Sequence, residues 1–177
     1  MFEEQGTERY RCQHDIAYLA EHFIYYPLLG SVSLNDADRS ALYDIQNGIG
    51  VIDLQGGYGN SHPMWRLTSM YLVHELLFGK STTFFLIGQT KHLSRKVLET
   101  LYFPLNHLEL TFLPEIEVKY TGCLKLTNNV CIRAIGAADN LPDWDTKEAV
   151  VISYGLLEIP TQLRAHKWIQ VPEHTSN

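Results

Sequence analysis

The quartet Gly79-Lys80-Ser81-Thr82 carries the residue types that hold a nucleotide's phosphates: a glycine for close backbone approach, an ammonium for charge, a hydroxyl for a metal ion. Its context is wrong for that chemistry. Phosphate is held where a strand runs into a loop and the loop into a helix, because loop amides and the positive helix end then converge. This quartet follows the apolar stretch 64–78, which reads as a helix, and leads into "TTFFLIG" (82–88), which reads as a strand. Its amides would face a helix C-terminus, whose dipole disfavours anions. Five positions before Gly79 stands His74, where the full pattern needs glycine. The quartet therefore reads as a helix stop, a solvated lysine and a strand start.

The required order occurs earlier. The continuous apolar run "IGVIDLQ" (49–55) predicts a buried strand, "GGYGNSHP" a glycine-rich loop, and Pro63 the first turn of a long helix. Gln55, Gly57, Gly59, Asn60, Ser61 and His62 would line a phosphate pocket there. The glycine and hydroxyl are in place, but Asn60 stands where the lysine belongs, and a neutral amide cannot replace its charge. Ser61 and His62 could act as nucleophile and base, yet adjacent side chains diverge and no orienting acid is identifiable.

Other clusters read more plainly as structure. Cys12-x-His14-Asp15 lacks the second ligand pair a zinc ion needs, and Asp15 suits a helix cap. Cys123 and Cys131 share the hairpin "CLKLTNNVCIRAI" (123–135). A two-residue Asn128-Asn129 turn sets Leu126 opposite Cys131 and Ala134 opposite Cys123, which puts the thiols on opposite faces. That register disfavours a disulfide or shared metal. Lys91, His92, Arg95 and Lys96 form a compact basic start to a helix and otherwise read as a solvated face. Trp144 and Trp168 are either partner-contact anchors or indoles packed back on the domain.

The elements that must position these residues follow from periodicity. Helical spacing appears over 15–26, 37–46, 64–78 and from Thr90 to Phe103-Pro104, which ends that helix. "EIEVKY" (115–120) alternates like an edge strand, "AVVISYG" (149–155) reads as a buried strand and "KWIQV" (167–171) as a last one. The 177 residues, without repeat or linker, make one domain, 1–177: an α/β three-layer sandwich with a mostly parallel sheet and a β-hairpin insertion. The net charge of −6 shows no broad nucleic-acid surface. No apolar run reaches the ~20 residues of a membrane span, the N-terminus lacks a signal peptide's regions, and three cysteines show no framework spacing. A cytoplasmic location is the expectation.

In serial order the chain resembles the ATPase domain of the large terminase subunit, the DNA-packaging motor of tailed phages, a P-loop NTPase. The segment 10–26 resembles its opening helix, 36–48 the adenine-side segment with Arg39 or Gln46 nearest the base, and 49–61 the strand and P-loop. Residues 82–101 resemble its second strand and helix, 122–140 its hairpin and turn, 149–160 the Walker B strand and 167–174 the coupling strand. The departures fall at the chemistry. Asn60 replaces the Walker A lysine, and Ser153 and Tyr154 stand where Walker B carries Asp-Glu. Leu141-Pro142-Asp143 stands where the family has Arg-Gly, and Pro172 and Glu173 replace small hydroxyl residues. The nuclease domain that follows in the family is expected to be absent. Read through the resemblance, these losses imply a catalytically silent scaffold without bound ATP or Mg²⁺, acting through a protein partner from the phage packaging machinery or the host. The alternatives are an NTPase completed by a partner subunit and, less favoured, a nucleic-acid-binding module. Self-association stays open.

Overall fold

The computed structural model describes residues 2–26, 30–48, 50–53, 64–81, 83–107, 116–120, 122–139, 149–155 and 165–171. Two helices open the chain, α1 (Phe2–His14) and α2 (Ile16–Phe23). Asp15 separates them, its extended backbone and carboxylate capping Tyr18 N–H at 2.9 Å. A two-residue ladder, β1 (Tyr25–Tyr26) with β2 (Gly30–Ser31), comes next. The expected helix over 15–26 thus stops at Phe23, where Ile24 turns extended and buries its side chain.

Helix α3 (Asp36–Asn47) starts on a capping box between Asn35 and Asp38. Strand β3 (Gly50–Asp53) leads through residues 54–63, outside the described set, to α4 (Met64–Phe78). Gly79 ends α4 by donating to Glu75 O, Lys80 is exposed, and β4 (Thr83–Gly88) follows. Residues 79–81 of the quartet therefore lie between a helix end and a strand, as the context predicts, and Thr82 lies outside the described residues. Helix α5 (Lys91–His107) runs past Pro104 rather than ending there. Leu105, buried one turn beyond Leu101, holds that last turn on the core.

The remaining strands are β5 (Ile116–Tyr120), β6 (Cys123–Leu126), β7 (Cys131–Gly136), β8 (Val150–Tyr154) and β9 (Lys167–Val171). They join β3 and β4 in a seven-stranded sheet of order β3-β9-β8-β4-β7-β6-β5. The five strands from β3 to β7 are parallel, and β6 and β5 complete an antiparallel edge. The connection β3-α4-β4 passes over two positions, later filled by β8 and β9.

One hairpin expectation is wrong. Leu126 N–H donates to Val130 O and Asn129 N–H to Leu126 O, so the loop is Thr127-Asn128-Asn129. Asn129 takes φ 66, the left-handed residue of a three-residue turn. The extra residue shifts the register by one: Lys125 pairs with Cys131 and Cys123 with Arg133. Both cysteines therefore share a face.

Buried residues of α1 to α5 form one cluster with Phe84, Leu86, Ile132, Ile152 and Ile169 of the sheet. The other sheet face is also buried, through Phe85, Ile87, Val151 and Trp168. Burial on both faces explains why β4 and β8 read as unbroken apolar runs.

Candidate functional site

The parallel strands all end at one rim of the sheet, the place where open α/β sheets bind ligands. The register aligns Gly136, Gly88, Tyr154 and Val171 along it. Two glycines let α5 start close above. A Cβ on Gly88 would lie 2.9 Å from Thr90 O, and one on Gly136 would lie 2.9 Å from Lys91 N. Gly155, at φ 65, turns the chain after β8. Its N–H donates to Val171 O at 2.9 Å and its carbonyl accepts from Gln89 Nε2 at 2.7 Å. The ends of β9, β8 and β4 are thereby tied together.

Ser153 and Tyr154 close β8 and point to opposite faces. Ser153 Oγ accepts the Trp168 indole N–H at 3.0 Å and lies 3.5 Å from Ile169 O, to which it donates. Tyr154 Oη meets Thr68 Oγ1 of α4 at 3.2 Å. Ser153 is 1% exposed and Tyr154 4%. Both polar tips are engaged inside the protein. Trp168 is buried, so of its two readings the packed-back indole is the one observed, and it is no surface anchor. Gln55, Gly57, Gly59, Asn60, Ser61, His62 and Trp144 lie outside the described residues.

The two adenine-side candidates separate. Arg39, near the start of α3, forms a salt bridge with Glu21 Oε2, and Glu21 Oε1 accepts Leu34 N–H. Gln46 sits at the opposite end of the helix, where its carbonyl accepts from Lys167 Nζ at 2.9 Å. Lys167 is the first residue of β9, so Gln46 lies at the far rim of the sheet and cannot reach the ligand edge.

The basic residues at the start of α5 are brought together. Lys91, His92 and Lys96 are exposed and Arg95 is partly buried beside Gly122. Lys91 Nζ reaches Asp139 Oδ2 at 3.5 Å, and the same oxygen accepts Gly136 N–H at 3.0 Å. That amide, then the Lys91 and Arg95 charges, holds the Asp139 carboxyl below its usual range. Cys12, His14 and Asp15 do not converge. Cys12 is buried, His14 is exposed and stacks on Tyr10, and Asp15 caps α2. Among the described residues no group of three or more His, Cys, Asp or Glu could hold a metal ion, and no helix is long and apolar enough to cross a membrane.

A second polar cluster lies at the far rim. Lys167 Nζ donates to Ile45 O at 2.8 Å and sits 4.8 Å from the Tyr71 ring centre. Burial lowers its pKa, and the Glu75 charge opposes that shift. Glu75 is raised by burial, with Lys167 opposing. His74, 4% exposed, places Nε2 3.0 Å from Gln13 O, and burial pushes its pKa down. Sequence alone missed this cluster, since its members lie on three distant segments. The one signal was a lysine opening an otherwise apolar strand.

No family model matches the chain, and no curated protein matches it in sequence. Among solved structures, the crystal structure of the HK97 bacteriophage large terminase is similar to it in fold, with TM-score 0.66 at 16% identity. The likeness covers 90% of this chain and 37% of that one, so the chain spans little more than a third of the terminase's length. The fold is a terminase-like α/β fold.

Proposed function

We propose that this chain keeps a packaging-motor ATPase scaffold with a silent nucleotide pocket. It acts through protein–protein contacts, as a regulator of DNA packaging or of a host process. The observation that carries the reading is the end of β8. Where the resemblance places an aspartate for Mg²⁺ and a glutamate for water, Ser153 holds an indole and Tyr154 holds a threonine hydroxyl. Neither position offers a negative charge, and neither side chain faces solvent. Asn60 adds the loss of the lysine that neutralises β/γ-phosphate charge. Phosphoryl transfer rests almost wholly on positioned charge, so these losses remove the means of turnover rather than tune it.

Calorimetry with ATP and Mg²⁺, alongside a phosphate-release assay on the purified protein, tests this. The expected result is no turnover and no binding at micromolar ATP. Hydrolysis that disappears in Asn60→Ala or Ser61→Ala overturns the reading. Capture of tagged protein from infected cells then separates the two roles. Recovery of terminase or portal proteins supports packaging control, and recovery of a host protein supports reuse of the scaffold.

A further inference from the structure

We infer that Cys123 and Cys131 form a two-thiolate chelate for a thiophilic divalent cation of the Zn²⁺ class, on the face of the β6-β7 hairpin turned away from Leu124 and Ile132. The three-residue turn sets the two cysteines diagonally across the ladder on one face, with Sγ–Sγ 3.7 Å. The opposite face of the same hairpin buries Leu124, Leu126, Ile132 and Ala134. Neither cysteine belongs to that core; both are half-buried and free.

The separation decides between two uses of a thiol pair. Two metal–sulfur bonds of ~2.3 Å spanning 3.7 Å subtend about 107°, close to the tetrahedral angle zinc adopts. The pair is therefore spaced for one shared ion as it stands. A disulfide bond of ~2.0 Å would require the sulfurs to close by about 1.7 Å. It would also need a diagonal pair, whose Cβ atoms lie farther apart than in directly opposed residues, to reach a Cβ–Cβ spacing of ~4 Å.

Burial, then the neighbouring Cys131, raises the Cys123 thiol pKa, with the Arg133 charge opposing, and Lys125 is paired with Glu117 at 2.7 Å. Arg133 stands opposite Cys123 in the ladder and Lys125 opposite Cys131. Each neutral thiol releases its proton as the ion binds: two R–SH and M²⁺ give M(S–R)₂ and two H⁺, with no change of oxidation state. With no third described protein ligand converging there, water completes the coordination. The ion is then exchangeable, unlike one in a closed four-ligand structural site.

Titration of the reduced, full-length protein with Cd²⁺, read by thiolate-to-metal charge transfer in the ultraviolet, tests the site. Zn²⁺ calorimetry in two buffers of different ionisation heat counts the protons released. The expected outcome is one ion and about two protons per chain. Cys123→Ser and Cys131→Ser each weaken the apparent affinity more than about tenfold, since one thiolate of two is lost. Both are near-isosteric changes at half-buried positions, and circular dichroism checks the fold; should one variant fail to fold, the other decides. Unchanged binding in the folded variants overturns the inference. So does an absence of charge transfer at millimolar Cd²⁺, or a pair that closes to a disulfide in air while its reduced form binds no ion.

Discussion

Lys167 and Ile45, 122 residues apart, are joined by a buried hydrogen bond: the ammonium of one donates to the carbonyl of the other at 2.8 Å. A second donation, to Gln46 O, gives two carbonyls at the end of α3 a charged partner. The last strand is thereby fixed to the helix that precedes the first strand of the large sheet. Lys167→Met keeps the length of the side chain but leaves both carbonyls without that donor. It should cost about 2–3 kcal/mol, measured by urea unfolding.

Ser153→Ala should cost about 1–3 kcal/mol, because it leaves the Trp168 indole N–H buried without its acceptor. Ser153→Asp should cost more, since it sets a carboxylate into a position 1% exposed. A thermal melt of both variants checks the order. An aspartate variant as stable as wild type would show that the position tolerates the charge a metal-binding strand end requires.

Stability should fall as the solution is acidified below the ordinary histidine range. Burial depresses the His74 pKa in the folded state from 6.5, so the unfolded chain takes up its proton first. The stability this group contributes is present above 6.5 and is lost as pH falls through the depressed value. Glu75 runs the other way: its raised pKa contributes stability below 4.5 that is lost as pH rises through the folded value. The difference between wild type and His74→Phe, followed by denaturant melts across pH, isolates the histidine limb. That difference should shrink on acidification.

Thiol chemistry should separate the three cysteines. Burial, with Glu8 nearby, pushes the Cys12 thiol up to about 11, and its side chain is inaccessible. Cys123 and Cys131 are half-buried and meet solvent. With Ellman's reagent at mildly alkaline pH the native protein should release two equivalents promptly, and the third only after denaturation.

Gly88→Ala should destabilise by about 1–3 kcal/mol through overpacking, since the new methyl lies 2.9 Å from the Thr90 carbonyl and 3.0 Å from Ser94 N. Both contacts are backbone at the start of α5, so the helix itself has to move. Differential scanning calorimetry against wild type reads the effect.

Much of the fold is legible in the residues. Asn35-Asp36 announces the start of α3, and the run of β8, apolar but for Ser153, announces a buried strand. Local pattern failed where distance or one extra residue decided the outcome. Thr127 belongs to the turn, and no periodicity distinguishes a two-residue from a three-residue loop when both asparagines suit it. That single residue reversed the relation between the cysteines. Trp168 and Ser153 sit on strands whose adjacency is set by the order of the sheet, which short-range spacing does not encode. The sequence shows Ser153 and Tyr154 in place of acids, but the partners they take emerge only once β9 lies beside β8 and α4 lies above it.

The position of β9 between β3 and β8 also has a consequence for how the chain matures during synthesis. Strand β3 leaves the ribosome early, yet its ladder partner is the segment that begins at Lys167. Until that segment emerges, the strand that introduces the glycine-rich loop has no neighbour among the described strands of the large sheet, and its amides and carbonyls stay available to other edges. A nascent chain of this protein therefore carries β3 without its β9 partner over the synthesis of the more than one hundred residues between them, the interval in which a chaperone or a companion strand holds it.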